Sequence, residues 1–215
     1  MVELIFLHLP KTGGSSILEV LKYVYGEEHV RHFERDECLE LNKRGLKISE
    51  VIAPEVKVIH GHIRYREVKD IVKKDKPKLV TFLREPVARV VSNYNWWKFD
   101  VKSNPDHPAY GRRDESLELY VSRKETQNKM SYFLRGSKLK SYYFIGLLES
   151  FDRDIQKLAE VLNWPDVPSF HEKNSKHFSS SKPKLIEEKL RKKISRLNHK
   201  DSSLYNRVLR SKTAK

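Results

Sequence analysis

The sequence is poor in cysteine and has no long apolar run. Cys38 is the one cysteine among 215 residues, so an internal disulfide and a cysteine-rich zinc site are both excluded, and a reducing compartment is favoured. No apolar run approaches the roughly 20 residues that a membrane-spanning helix needs. The first run begins at Val2 without the basic segment that opens a secretory signal. These features predict a cytoplasmic protein without a membrane span.

Basic residues are in excess. Lys and Arg number 43 against 29 Asp and Glu, a formal net charge of +14, and residues 182–215 hold twelve of the basic residues against three acids. Such a charge predicts attraction to a polyanion, which could be a nucleic acid, an anionic glycan, a nucleotide or a lipid head group. The hydrophobic content of 38% is enough for a folded core. The length fits a single domain over residues 1–215, with a basic amphipathic helix and tail at 182–215.

Short apolar segments alternate with helical patterns along the chain. The strands predicted in this way are residues 2–8, 56–59, 78–83 and 142–148. The predicted helices are residues 17–24, 36–44, 67–74, 86–94, 116–123, 125–134, 151–162 and 186–197, and the predicted loops are residues 98–115 and 163–182. This alternation predicts an α/β fold with three α/β/α layers around a mostly parallel sheet.

The end of the first predicted strand has the composition of a phosphate-binding loop. It reads His8-Leu-Pro-Lys-Thr-Gly-Gly-Ser-Ser16 and leads into a helix. Glycines let backbone N–H groups converge on an anion, and the helix N-terminus and Lys11 add positive charge. The order differs from the Walker A motif, in which the lysine follows the glycines. The alternative is an ordinary strand-to-helix turn with a solvated lysine.

A second candidate anion site follows the third predicted strand, at Arg84-Glu-Pro-Val-Ala-Arg-Val-Val-Ser92. The Arg84 guanidinium suits a phosphate, and the Ser92 hydroxyl can donate to the same oxygens. The alternative for Arg84 is a salt bridge to Glu85 or to a helix acid. Two such sites on neighbouring strand ends indicate a ligand with two phosphates.

These segments resemble those of the sulfotransferases. Residues 8–16 are similar to their 5′-phosphosulfate loop and residues 81–94 to their 3′-phosphate segment, while residues 146–152 and 201–205 show weaker likeness, the latter to the membrane-associated carbohydrate branch. The resemblance implies a P-loop-like fold and the donor 3′-phosphoadenosine 5′-phosphosulfate (PAPS). PAP is then the leaving group, and the reaction requires no metal ion. It places Lys11 at the phosphosulfate bridge. The other implied donor contacts are Thr12, Gly13, Gly14, Ser15 and Ser16 at the 5′-phosphate, and Arg84 and Ser92 at the 3′-phosphate.

His60-Gly61-His62 closes the second predicted strand. A histidine is a suitable base for a hydroxyl proton. The same tripeptide follows a strand in the uronyl 2-O-sulfotransferases, and this resemblance implies that His62 is the base and His60 its support. A hydrogen-bonded structural pair is one alternative. A zinc site is the other, although no third ligand stands at a recognisable spacing.

We therefore predict a sulfotransferase that acts on a hydroxyl of a saccharide, including an acidic glycan as a candidate acceptor. One alternative is a nucleotide or small-molecule kinase, which would need magnesium and an acidic ligand for it. The other is a non-catalytic protein that binds nucleic acid, which would leave the Lys11 loop unexplained. Asn174-Ser-Lys176 lies where the resemblance implies a loop over the nucleotide.

Overall fold

The structure is a computed structural model that describes residues 1–165, 167 and 186–213. Its centre is a five-stranded sheet in the order β2-β3-β1-β4-β5, in which every neighbouring pair is parallel. The strands are β1 (Leu4–Leu7), β2 (Val30–Phe33), β3 (Val58–Gly61), β4 (Lys78–Leu83) and β5 (Phe144–Leu147). Helices flank the sheet, which confirms the predicted α/β class.

Nine α-helices are present among the described residues. They are α1 (Gly14–Tyr25), α2 (Arg35–Lys43), α3 (Lys69–Asp75), α4 (Pro86–Ser103), α5 (Leu117–Ser122), α6 (Lys129–Phe133), α7 (Phe151–Leu162), α8 (Glu188–Leu197) and α9 (His199–Thr213). Short 3₁₀ turns connect several of them. Within this described part, no helix is both long enough and apolar enough to cross a membrane.

The chain divides into two compact units. The first comprises residues 1–83 and 130–171, and the second comprises residues 84–129 and 172–215. The single domain expected over residues 1–215 stays a prediction. The loop predicted at 163–182 and the segment Asn174-Ser-Lys176 lie almost wholly outside the described residues, as does the start of the basic tail.

The first unit is built on the sheet. Apolar side chains alternate between its two faces, and both sets are buried, as expected for parallel strands with cover on each side. One face packs against α1 and α7 in a cluster that includes Phe6, Val20, Phe82 and Leu158. This packing fixes the position of the turn between β1 and α1.

The second unit is helical. Val90 of α4, Tyr120 of α5 and Ile194 of α8 meet in its apolar cluster. At the start of α9, the side chain of Asn128 accepts hydrogen bonds from the backbone N–H groups of Lys200 (3.0 Å) and Asp201 (3.3 Å). The second unit therefore has its own core and its own polar anchor.

Three sequence predictions are corrected by the structure. Residues 30–33 form a strand that the sequence pattern did not reveal, because polar residues occupy its two central positions. The predicted loop at 98–115 begins late, since α4 continues to Ser103. The single helix expected at 186–197 is followed at once by a second helix, α9.

Candidate active site

The loop after β1 has an unusual backbone. Lys11 lies in the left-handed region with φ 68°, and Gly13, the residue that caps α1, has φ 85°. A positive φ at a residue with a side chain costs free energy, and such positions cluster at functional sites. The Thr12 hydroxyl is buried and donates to the carbonyl of Leu9 at 2.8 Å. Thr12 thus holds the loop together, and its proton is already committed.

The N-terminus of α1 is open to an anion. No side chain caps it, and its first turn carries no acid. The helix dipole and the N–H groups of the first turn therefore present positive charge next to Lys11. Ser15 is exposed at this turn, whereas Ser16 is buried. The start of α1 is therefore uncapped and free of acids, and the binding of a phosphate there stays a prediction.

Gly14 is required by a close approach. A Cβ atom at this position would lie 2.0 Å from the ring of His8, which packs over the start of α1. His8 is buried, and its Nδ1 atom has no hydrogen-bond partner among the described residues. The sequence did not single out His8 beyond its place at the head of the loop. Its apolar neighbours in β1 hid the fact that its ring forms part of a histidine cluster.

His62 is held in one orientation by the same loop. Its Nδ1 atom lies 3.0 Å from the carbonyl oxygen of His8, and its ring stacks on the His8 ring at 4.1 Å between centroids. A carbonyl oxygen only accepts, so Nδ1 carries the proton and Nε2 is left with its lone pair. Within the described residues, Nε2 has no hydrogen-bond partner. The ring of His62 is thus oriented with its basic nitrogen unprotonated, and its role as a base stays a prediction.

The histidines in this cluster are neutral at neutral pH. Burial is the main cause that lowers the pKa of His62, and burial together with the neighbouring rings lowers the pKa of His8 and His60 further. A low dielectric disfavours the charged imidazolium. A neutral His62 has the protonation state that a general base requires before it acts.

His60 lies behind this cluster. Its side chain is fully buried, and its two nitrogens face Gly14 O at 3.1 Å and His32 Nδ1 at 2.8 Å. These contacts fix the orientation of its ring inside the protein, and the supporting role implied for it stays a prediction. His32 lies directly opposite His60 in the register of β2 and β3. No sequence pattern pointed to His32, because β2 itself carries no apolar run.

A cluster of charged side chains supports the other side of His62. Glu67 accepts two hydrogen bonds of 2.8 Å from Arg35. It also accepts hydrogen bonds from the backbone N–H and from the Nε atom of Arg64, each at 2.8 Å. Arg35 also donates to the carbonyl of His62 at 3.0 Å. Burial alone would raise the pKa of Glu67, but these hydrogen bonds lower it to about 2. No sequence motif pointed to these three residues.

In the second unit, Arg84 precedes α4, and Ser92 lies on α4 almost two turns after its start. Arg84 follows directly after β4, and Ser92 is half-buried on the helix. The N-terminus of α4 is capped by Glu85, whose carboxylate accepts from the N–H groups of Val87 (3.0 Å) and Ala88 (2.7 Å). An acid already occupies this helix end, so an anion at α4 would depend on side chains instead of backbone N–H groups.

Asp201 has a structural partner. Its carboxylate lies 3.9 Å from the Nε atom of Arg89, and both side chains are almost completely buried. Arg89 also donates to the carbonyl of Thr126 at 3.3 Å. Burial lowers the pKa of Arg89, and Asp201 opposes that change. The 201–205 segment therefore connects α9 to α4 inside the second unit.

No group of His, Cys, Asp and Glu in the described ranges is placed to hold a metal ion. The geometry explains this for the histidines. In three of the rings, one nitrogen is directed at another ring or at a backbone carbonyl: His32 at His60, His60 at Gly14 and His62 at His8. The same nitrogens would have to converge on one point to coordinate zinc.

Comparison with known proteins gives a family match. The sequence profile described as "Sulfotransferase family" matches residues 2–206. A search of curated proteins found no significant match.

Solved structures show a related fold. The crystal structure of mouse sulfotransferase SULT7A1 complexed with PAP superposes with a TM-score of 0.50 at 17% identity, over 79% of this chain and 61% of the mouse chain. A sulfotransferase from Alicyclobacillus acidocaldarius gives a TM-score of 0.47 at 16% identity, over 94% of this chain and 92% of that one. This chain therefore covers about three fifths of the mouse chain, and the likeness bears on the fold.

Proposed function

Because this chain belongs to the sulfotransferase family, we propose that it transfers a sulfuryl group from PAPS to a hydroxyl of a saccharide. The observation that carries the proposal is the orientation of His62. Its Nδ1 proton is held by the His8 carbonyl at 3.0 Å, which turns the basic Nε2 atom away from the loop backbone. The head of the phosphate loop and the base are thus joined by one hydrogen bond.

The phosphate loop suits the donor. An uncapped helix N-terminus, the Lys11 side chain and the hydroxyls of Ser15 and Ser16 together favour a doubly charged phosphosulfate group. Thr12 contributes by shaping the loop, since its hydroxyl proton is bound to Leu9. PAP bound to the mouse structure is consistent with a donor of this type.

PAPS supplies an electrophilic sulfuryl group and a stable leaving group. His62 accepts the proton of the acceptor hydroxyl at Nε2 as that oxygen bonds to sulfur. The resulting imidazolium keeps its Nδ1–H···O=C bond to His8. Lys11 stabilises the negative charge that develops on the departing phosphate. A positioned base of this kind contributes about 10²–10⁴-fold in rate.

We assign Arg84 and Ser92 to the 3′-phosphate of the donor. The assignment rests on the resemblance of residues 81–94 and on the chemistry of a guanidinium and a hydroxyl toward phosphate. Glu85 caps α4, so these two side chains are the groups at this helix end that suit an anion.

The acceptor we propose is an acidic saccharide. Support comes from the His60-Gly61-His62 tripeptide, which resembles that of the uronyl 2-O-sulfotransferases, and from the formal charge of +14. The cytoplasmic location stays a prediction.

A thermal-shift titration tests the donor. PAP at about 100 times its dissociation constant should stabilise the protein by about 2.7 kcal/mol without added metal, a rise in Tm of about 5–10 °C. Magnesium–ATP at the same concentration should not. Stabilisation by magnesium–ATP alone would instead establish the kinase alternative, and a response to nucleic acid alone would favour the binding protein.

The variant His62→Asn tests the base. The asparagine amide nitrogen stands where Nδ1 stands, so it retains the donor to the His8 carbonyl and removes the basic nitrogen. We expect kcat to fall by about 10²–10⁴ while the Kd for PAP stays unchanged. The matched control is His29→Asn, because His29 Nδ1 also lies at 2.9 Å from a backbone carbonyl, that of Glu55. Equal turnover in the two variants would remove His62 from the reaction.

A further inference from the structure

A line of hydrogen bonds connects the edge of the sheet to the phosphate loop. The Glu34 carboxylate lies 3.0 Å from Nε2 of His32, whose Nδ1 atom lies 2.8 Å from Nδ1 of His60. Nε2 of His60 then lies 3.1 Å from the carbonyl oxygen of Gly14, the first residue of α1. The path crosses from β2 to β3 and ends at the phosphate loop.

The chemistry of the Gly14 end fixes one proton. The Gly14 carbonyl only accepts, so His60 Nε2 carries hydrogen. The contact between the two Nδ1 atoms needs one further proton, which one of the two rings must donate.

Burial decides which ring donates. The His60 side chain is fully buried, and burial lowers its pKa well below the usual value, so the ring is neutral and carries its one proton on Nε2. His32 retains 27% of its side-chain exposure and faces the Glu34 carboxylate. The hydrogen bond from His32 is also the largest cause that lowers the pKa of Glu34. His60 Nδ1 is thus the acceptor, and His32 Nδ1 is the donor.

We propose that His32 is a positioning residue for the sulfuryl transfer proposed above: through His60 it holds the Gly14 carbonyl, and with it the start of α1, in place relative to His62. The proposal rests on the proposed function for its catalytic consequence. His60 and His62 lie two residues apart at the end of β3. The hydrogen bond from His60 to Gly14 therefore sets the distance between the phosphate loop and the proposed base, His62.

Loss of the donor at His32 would leave a buried nitrogen of His60 unpaired. The ring of His60 would then turn or recruit water, and its bond to Gly14 would weaken. The phosphate loop would lose one of its ties to the end of β3, while the bond between His62 and His8 and the bond from the His8 N–H to the Gly61 carbonyl would remain. The affinity for PAPS and kcat should both fall, because the loop carries Lys11.

Two substitutions at the same position separate positioning from simple packing. His32→Leu removes both nitrogens, whereas His32→Asn keeps an amide donor where Nδ1 stands. We expect His32→Leu to raise the Kd for PAP and to lower kcat, each by about tenfold. His32→Asn should stay within about threefold of the wild type on both measures. The control His199→Leu, at an exposed position of α9, should match the wild type.

Hydrogen exchange provides a readout that does not depend on the reaction. His32→Leu should speed exchange at the N–H of Ile17, which bonds to Gly13 in the first turn of α1, and His32→Asn should not. Unchanged exchange in His32→Leu, or equal effects of the two variants, would overturn the proposal. A wild type that binds no PAP would refute the proposed donor alone, and faster exchange confined to His32→Leu would then still establish that His32 holds the loop.

Discussion

Glu67 is the acid on which the support of His62 depends, and its removal should cost measurable stability. Its side chain is only 5% exposed and pairs with Arg35 and Arg64. The hydrogen bonds overcome burial and hold its pKa at about 2, against 4.5 for an ordinary glutamate. This difference corresponds to about 3 kcal/mol of folding free energy at neutral pH. Glu67→Gln should lose at least that amount, because its amide N–H groups would face arginine donors.

Urea unfolding as a function of pH measures the effect. The Glu67 pKa is lowered on folding, so its stabilisation is complete above about pH 4.5 and is lost as pH falls toward about 2. The difference between wild type and Glu67→Gln should therefore shrink across that window. Glu27→Gln is the control, because Glu27 pairs with Lys22 at 2.6 Å but is 79% exposed, and it should change the urea midpoint little. A Glu67→Gln difference below about 1 kcal/mol at neutral pH, or one that does not vary with pH, would refute the reasoning.

Three further substitutions test the framework around the site. Gly61→Ala should lower the free energy of unfolding by about 2 kcal/mol or more, because φ at Gly61 is 145° and the added Cβ atom would lie 2.1 Å from a backbone oxygen of β2. An unchanged Tm would contradict this. Glu85→Ala should cost about 1 kcal/mol in urea unfolding through loss of the α4 cap, and an equal or higher midpoint would show that the cap contributes nothing. Asp201→Ala should cost about 3–5 kcal/mol because it leaves the Arg89 cation buried without its acid. Ser203→Ala, exposed on the same helix, should match the wild type in that assay, and equal losses in both variants would exclude the ion pair as the cause.

The sheet could be predicted from the sequence wherever its strands are buried on both faces. β1 and β4 read as apolar runs because helices leave no polar side of the sheet open to water. β2 has no such run: it reads Val-Arg-His-Phe and stands at the edge of the sheet. Its polar side chains are used in specific pairs, Arg31 with Glu37 and His32 with His60. Such pairs leave no periodic signal, so β2 and the role of His32 were missed together.

The end of helix α4 was predicted wrongly for a different reason. Composition predicted a loop from residue 98, because polar residues and Pro105 dominate that stretch. Val101 is fully buried, however, and continues the stripe of Tyr94 and Trp97 at a spacing of three and four residues. The helix ends at Ser103, just before the residue that precedes Pro105, where proline disfavours helical geometry. The stop signal, Pro105, is visible in the sequence. The helix that it ends nevertheless runs about two turns further than the composition of residues 98–115 suggested.

The two helices that follow β1 and β4 would bind anions by different means, and this explains why their motifs differ. α1 is preceded by Gly13, begins at Gly14 and has no side-chain cap, so its backbone N–H groups and dipole would face an anion directly. α4 begins with Glu85, whose carboxylate already accepts from two of its N–H groups. An anion there would meet a negative charge unless a guanidinium outweighed it. A motif with glycines is therefore sufficient after β1, whereas the motif after β4 needs Arg84 and a hydroxyl such as that of Ser92.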